Sequence, residues 1–149
     1  MIVYLIPIFV FILDWATKYW AIQGLVAHTP KYMTPYFNLY LTFNPGVSFS
    51  MFNANNALGV WVLILVACTI CGFILYLFSK ETNKLTRCAL MMVLGGALGN
   101  VWDRLRYGAV IDFLDFHCGN YHWPAFNIAD SAICIGVAII LWQTLRRKK

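Results

Sequence analysis

The chain has 149 residues, of which 61% are hydrophobic and only 11% charged, and its formal net charge is +5. Since a soluble domain carries about a quarter charged residues, this composition excludes an ordinary soluble domain and predicts a protein embedded in lipid. The basic residues cluster at 80–87 and 146–149, a distribution typical of membrane orientation and not of a nucleic-acid groove.

Four apolar segments predict four membrane-spanning helices within a single domain of residues 1–149. These segments cover about residues 2–22, 57–78, 88–107 and 128–145. A helix needs about 20 residues to cross the hydrocarbon core, and the third segment reaches that length only by including Asp103, Arg104 and Arg106. The first segment is expected to be retained, because it has no basic residue before its apolar run and carries polar side chains where a signal-peptide cleavage site would lie.

The Lys and Arg residues of the connecting segments predict the orientation of the helices. The 79–87 segment and the C-terminal tail are the most basic, whereas the longer 23–56 and 103–127 segments are poor in Lys and Arg. Because cytoplasmic loops carry an excess of Lys and Arg, both termini are expected in the cytoplasm. The two longer segments are then expected on the outer side.

These outer segments carry strand patterns. From Phe37 to Asn44 apolar and polar residues alternate, which is typical of a strand, and Asn-Pro-Gly at 44–46 predicts a turn. Residues 107–117 also favour an extended chain. The predicted fold is therefore an all-α membrane protein with four transmembrane helices and a small β-rich segment on its outer, extracytoplasmic face.

Polar side chains gather at the outer ends of the predicted helices. A charge at a helix centre in a bilayer costs about 2.5–3.5 kcal/mol even by lenient scales, so such residues usually face the bundle interior and pair with one another. For Asp14 and Lys18, four residues apart on one helix face, an interpretation as a structural ion pair stays open. Convergence of the whole set at one level favours a functional site, and close packing through Gly95, Gly96 and Gly99 would bring its members together. The set comprises Asp14, Lys18, Asn100, Arg104, Asp112, Asn127, Asp130 and Ser131.

Several kinds of catalytic site lack the residues that they need. The chain has no H-E-x-x-H zinc motif, and His117 and His122 have no further ligands in regular spacing, so no metal or other cofactor is expected. A dyad of Ser131 and Lys18 has no G-x-S-x-G turn to support it. The cysteines have no convincing histidine partner within their segments.

A pair of carboxylates remains as the best candidate for catalysis. Two close aspartates do not both ionise cheaply, so one keeps a proton while the other is anionic. The anionic one can deprotonate a water molecule, and the protonated one can donate to a scissile carbonyl. Asp112 and Asp130 flank the same outer segment and form the best pair, whereas Asp103 and Asp115 are expected in more solvent-like surroundings.

Five sequence blocks occur in a fixed order along the four-helix layout. They are DWATK at 14–18, FNPGVSF at 43–49, GGALGNVWDR at 95–104, VIDF at 110–113 and FNIADS at 126–131. In these blocks the chain resembles the lipoprotein signal peptidases, the type II signal peptidases of bacteria. The last three blocks are specific and the first two are looser. The family usually has glutamine where Trp15 stands and alanines where Val47 and Ser48 stand.

The resemblance implies a metal-free aspartic endopeptidase that removes the signal peptide from diacylglyceryl-modified prolipoproteins, cutting just before the lipidated cysteine. It implies Asp112 and Asp130 as the catalytic residues, in a multi-pass protein of the bacterial inner membrane with its active site at the outer face. The expected partners are these prolipoproteins and membrane lipids, without nucleic acid, and a monomer is expected. The implied supporting residues are Asp14, Lys18, Asn44, Gly46, Asn100, Arg104 and Asn127.

Three other classes of protein stay open on the residues alone. A transporter or proton-conducting protein would carry ionisable residues at several depths in the membrane. A scaffold subunit would hold the polar set for structure only. A lipid-modifying transferase would need a basic phosphate-binding cluster on the outer face, where only Arg104 and Arg106 are available.

Overall fold

The computed structural model describes residues 2–46 and 57–147, and these contain four helices long and apolar enough to cross a membrane. A short 3-10 helix, Ile2–Leu5, leads into the first of them. The four are α1 (Ile6–Gly24), α2 (Ala57–Lys80), α3 (Lys84–Tyr107) and α4 (Ile128–Arg147). The four predicted apolar helices are therefore confirmed.

Helix α3 begins four residues earlier than predicted, because a local cap outweighs the polar composition of its first turn. The side chain of Asn83 accepts a hydrogen bond from Thr86 N at 3.0 Å, which satisfies an amide that has no partner within the helix. The helix ends where Gly108 adopts φ +70° and its N–H donates to Arg104 O. Glycine takes this left-handed conformation without a steric penalty.

Helix α3 is the central helix of the bundle. Of its most apolar stretch 56% is buried, against 17% for each of the other three helices. Gly95 lies against Pro7 of α1 and Gly96 against Ala129 of α4, so close that a Cβ on Gly96 would come within 2.5 Å of the Ala129 carbonyl oxygen. The predicted close packing through these glycines is confirmed.

The outward surfaces of α1, α2 and α4 are apolar, as expected for contact with lipid. Their exposed side chains include Ile8, Phe9, Ile12, Leu58, Trp61, Leu65, Phe73, Ile135, Leu141 and Trp142. Because a bilayer supplies an apolar solvent, these residues need no protein partner.

A four-stranded antiparallel sheet covers one end of the bundle. Its strands, in spatial order, are β1 (Lys31–Thr34), β2 (Phe37–Asn44), β3 (Val110–Cys118) and β4 (Tyr121–His122). The predicted strand at 37–44 is confirmed, whereas the predicted extended stretch begins only at Val110 because α3 continues to Tyr107. The sheet packs on the end of α1 through a core of Ala21, Leu39, Leu41, Ile111 and Phe113. The fold thus combines four helices with a true sheet.

Candidate active site

The candidate active site lies where the sheet meets the ends of α1, α3 and α4. Strand β2 contributes Asn44 and strand β3 contributes Asp112. The helices contribute Asp14, Lys18, Asn100, Arg104, Asn127 and Asp130, with Asn127 just before the first residue of α4. The residues that the sequence places in one polar set are joined by hydrogen bonds and ion pairs, with Ser131 and Arg104 bonded to backbone oxygens of the set.

Asp112 is buried in β3 with both carboxyl oxygens engaged. Its side chain is 2% exposed, and it accepts hydrogen bonds from Asn44 Nδ2 at 3.0 Å and from Asn127 Nδ2 at 2.7 Å. Burial raises the pKa of Asp112 to about 6, with a smaller upward effect from the charge of Asp130; the two amide donors act in the opposite direction. This carboxyl group is therefore suited to hold a proton near neutral pH.

Asp130 lies in the first turn of α4, beside an open groove. Its Oδ1 accepts a hydrogen bond from Asn100 Nδ2 at 2.8 Å, and its own N–H donates to Asn127 Oδ1 at 2.9 Å. The groove, of about 550 Å³, runs from Trp123 along α4 to Cys134 and includes Asp130 in its lining. Asp130 is thus more open to its surroundings than Asp112, and the positive end of the α4 dipole favours negative charge there.

Two asparagines join the two aspartates. Asn127 caps α4 through Oδ1 and donates through Nδ2 to Asp112, while Asn100 donates to Asp130. Asn127 Nδ2 also lies 3.4 Å from Asn100 Oδ1. A continuous path of side chains, Asp112–Asn127–Asn100–Asp130, therefore connects the carboxyl groups.

A buried group of charges lies beneath this path. Lys18 is 2% exposed, and its Nζ lies 2.7 Å from Asp14 Oδ2, 2.7 Å from Asp103 Oδ2 and 3.1 Å from Asn100 Oδ1. The predicted pairing of Asp14 with Lys18 is confirmed. Ser131 instead donates its hydroxyl to Asn127 O, so Lys18 and Ser131 form no dyad.

The prediction of solvent-like surroundings for Asp103 is wrong. Asp103 is 3% exposed, because α3 is the central helix and its end is covered by α1 and β3. The sequence held one signal for this: Asp103 is three residues from Asn100, and residues at that spacing lie side by side on a helix.

The same prediction is wrong for Asp115. This residue is buried opposite Asn38, whose Nδ2 donates to it at 3.1 Å, and His122 Nδ1 lies 2.8 Å from its other oxygen. Cross-strand pairing, which spacing along the chain does not reveal, therefore gives Asp115 buried partners of its own. His117 stacks on His122 at 5.0 Å between ring centroids. No three His, Cys, Asp or Glu side chains form a metal-binding group in the ranges 2–46 and 57–147.

Arg104 and Gly46 border the site. Arg104 donates from Nη1 to Asn100 O at 3.2 Å, and its Nε is buried without a hydrogen-bond partner among the described residues. Gly46 has φ +92°, and its N–H donates to Asn44 Oδ1 at 2.9 Å, a local turn that orients the Asn44 side chain. Val47 and Ser48, two of the positions that depart from the family pattern, lie outside the described residues.

Comparison with known proteins identifies the family. Residues 6–146 match the family model for signal peptidase II. The lipoprotein signal peptidase of Polynucleobacter necessarius subsp. necessarius is 44% identical over 143 residues, covering 95% of this chain and 88% of the relative. That of Thermodesulfovibrio yellowstonii is 42% identical over 138 residues, covering 93% of this chain and 90% of the relative.

Solved structures of bacterial membrane enzymes share the fold of this chain. Two chains, each described as a bacterial membrane enzyme solved by the in meso method, match with TM-scores of 0.85. They are 29% and 30% identical to this chain, covering 97% and 95% of it and 88% and 90% of their own lengths. The enzymatic interpretation is therefore confirmed over the transporter, scaffold and transferase alternatives. This multi-pass membrane protein belongs to the signal peptidase II family, the aspartic peptidases that cleave signal peptides from prolipoproteins.

Proposed function

We propose that this protein cuts diacylglyceryl-modified prolipoproteins just before the lipidated cysteine, with Asp112 and Asp130 as its catalytic pair. The observation that carries the assignment of the pair is the path of hydrogen bonds through Asn127 and Asn100, which holds both carboxyl groups at one site. The family's chemistry requires two aspartates, and these two are joined through Asn127 and Asn100, with Asp130 opening onto the groove.

The two aspartates have different roles. Asp130, the more accessible one, is the anionic base that takes a proton from water, and this water then attacks the scissile carbonyl. Asp112, whose pKa is about 6, donates its proton to the carbonyl oxygen. As the tetrahedral intermediate collapses and its C–N bond breaks, the proton taken by Asp130 goes to the leaving amine, which is the amino group of the lipidated cysteine. The proton on the former carbonyl oxygen returns to Asp112, which restores both aspartates to their starting states.

The supporting residues keep these groups in place. Asn44 and Asn127 orient the Asp112 carboxyl through one hydrogen bond each, and Asn100 orients Asp130. Arg104 keeps the α3 backbone at Asn100 in place through the hydrogen bond from its Nη1 to Asn100 O. Gly46 allows the turn that aims Asn44, while Asp14 and Lys18 shape the cleft from α1.

The proposed location is the inner membrane of a bacterium, with both termini in the cytoplasm and the site at the outer face. The basic C-terminal tail and the basic 79–87 segment support this orientation. The groove at Asp130 is lined by Ile133 and Cys134 of α4, so a lipid-anchored substrate can reach the site from the bilayer. A monomer is sufficient, because one chain supplies both aspartates and the asparagines that hold them, and membrane lipids cover its apolar helices.

The test is cleavage of a diacylglyceryl-modified prolipoprotein by the purified protein in detergent, with and without chelator. We expect cleavage that is insensitive to chelator, and a loss of kcat of about 10³-fold or more in Asp112→Asn and in Asp130→Asn. Both variants nearly keep the shape of the side chain, and thermal unfolding checks their fold. Full activity in either variant would refute the catalytic pair; no cleavage by the folded wild type would refute the proposed substrate.

A further inference from the structure

Two backbone amides next to the proposed catalytic aspartates are held by carboxylates from other elements. Ala129 N donates to Asp14 Oδ1 at 2.8 Å, and Ile111 N donates to Asp103 Oδ2 at 3.2 Å. Ala129 directly precedes Asp130, and Ile111 directly precedes Asp112. Each aspartate of the proposed pair is therefore fixed through the backbone of the residue before it.

A single cation links these two attachments. Lys18 Nζ lies 2.7 Å from Asp14 and 2.7 Å from Asp103, and all three side chains are at most 4% exposed. Asp14 uses its two oxygens separately, Oδ1 for Ala129 and Oδ2 for Lys18. Helix α1 is thus tied to the start of α4 through Asp14, and to β3 through Lys18 and Asp103.

The contacts are of a kind that orders a backbone strongly. Hydrogen bonds to charged groups are shorter and roughly twice as strong as neutral ones. Ala129 lies in the first turn of α4, where backbone N–H groups have no partner within the helix. Asp14 therefore satisfies a donor that a packed apolar side chain would leave unpaired.

We infer that Asp14, Lys18 and Asp103 form a positioning unit that sets the separation of Asp112 and Asp130. None of the three contacts the carboxyl groups of the pair directly; they act through Ala129, Ile111 and the Asn100 side chain, to which Lys18 also donates. The inference rests on the proposed catalytic roles of Asp112 and Asp130. It makes Asp103 a positioning residue, a role that its place in the sequence does not indicate.

The first test uses Asp14→Asn and Asp103→Asn in the detergent cleavage assay. Each variant leaves Lys18 with one carboxylate, so the buried cation keeps a partner and the fold is expected to persist. Each substitution keeps an amide oxygen that can accept from the backbone N–H but removes the negative charge that pairs with Lys18, so the tie between the two backbone segments is weakened. Displacement of catalytic groups by about 1 Å costs about 10²-fold in rate. We expect kcat to fall by about 10- to 100-fold with KM within about 3-fold of wild type, since these residues do not contact substrate.

A variant in which the positioning unit carries no charge distinguishes a positioning role from a role in stability only. The triple variant Lys18→Met, Asp14→Asn, Asp103→Asn contains no unpaired buried charge, and such replacements are often neutral for stability. We expect its melting temperature to lie near the wild-type value while its kcat stays at least about 10-fold lower. A triple variant with wild-type stability and wild-type kcat would overturn the inference.

Asp115→Asn is the matched control, because Asp115 is a buried aspartate of the same strand that bonds the side chains of Asn38 and His122. Its kcat is expected to stay within about 3-fold of wild type. Suppose that Asp112→Asn is inactive in the same assay. Full kcat in Asp14→Asn and Asp103→Asn, or an effect confined to KM, would then overturn this inference and leave the proposed catalytic pair standing. An active Asp112→Asn would overturn the proposed pair and this inference together.

Discussion

The protonation of Asp112 is set by opposing contacts within a few ångströms. Burial in β3 is the largest effect and raises the pKa, and the charge of Asp130 acts in the same direction. The hydrogen bonds from Asn44 and Asn127 stabilise the carboxylate and lower the pKa, so the net value is about 6. Asn44 is therefore the residue through which the proton affinity of the site can be changed without altering either aspartate.

Replacement of Asn44 by alanine is expected to move the basic limb of the pH profile to higher pH. The variant removes a donor to the Asp112 carboxylate, so the pKa of Asp112 rises further above its ordinary value. Since Asp112 acts as the proton donor, kcat/KM falls as pH rises through its pKa. The measurement is the pH dependence of kcat/KM for wild type and variant between pH 5 and pH 9. We expect the midpoint of the basic limb to shift by on the order of half a pH unit.

Asn38→Ala is the control for this prediction, because Asn38 lies on the same strand and donates to Asp115 instead. Its basic limb should coincide with that of the wild type. If the basic limb of the Asn44→Ala profile does not move, or moves to lower pH, Asp112 is not the group that titrates in the reaction.

At the scale of the elements, the site depends on how closely α3 approaches α4. Gly96 allows the α4 backbone at Ala129 to contact α3 directly, and Asn127 and Asp130 lie within two residues of that contact. The distance between these helices therefore helps to place one of the two proposed catalytic aspartates.

We expect Gly96→Ala to lower both stability and activity. The added methyl group would lie 2.5 Å from the Ala129 carbonyl oxygen and 2.9 Å from Ile133 Cγ1, so α4 has to shift. Overpacking of this kind costs about 1–3 kcal/mol, and the shift of Asp130 should lower kcat by about 10-fold or more. Thermal unfolding and the cleavage assay measure the two effects.

Gly72→Ala in α2 provides the comparison, because nothing lies within 4 Å of a Cβ at that position. There the change should be neutral or stabilise the helix by up to about 1 kcal/mol. Equal effects of the two substitutions would mean that the α3–α4 contact has no special importance.

At the scale of the whole molecule, the sheet and the turn between α2 and α3 mark opposite ends of the bundle. The 79–87 segment contains the end of α2, the turn and the first residues of α3, whereas the sheet covers the end of α1 where α4 begins. The proposed orientation therefore exposes Cys118, at the end of β3, on the outer side of the membrane.

Thiol labelling of spheroplasts tests this orientation. With Cys68, Cys71, Cys88 and Cys134 replaced by alanine, a membrane-impermeant maleimide is expected to label Cys118 without opening the membrane. A second variant that lacks Cys118 and carries Thr82→Cys, in the exposed turn before α3, should react only after the membrane is opened. The reverse pattern would place the active site in the cytoplasm.

Much of the fold was predictable from the sequence because its signals are local. The four spans follow from apolar runs, and the bounds of β2 follow from alternation over 37–44. The pairing of Asp14 with Lys18 follows from their spacing of four residues on one helix. Asp112 and Asp130 were identifiable as candidates from the same kind of reasoning, with the family resemblance supplying their roles.

The tertiary structure alone decided which of the other aspartates are buried and what they hold. The residues next to Asp103 and Asp115 in the sequence do not indicate what these aspartates contact, and helices and strands from elsewhere in the chain cover both. The contact of Asp14 with Ala129 joins residues 115 positions apart, beyond any periodicity. Burial and long-range hydrogen bonds depend on which elements pack together, whereas hydropathy and spacing are properties of a short stretch of chain, and this is why the positioning of the site became visible only in the folded protein.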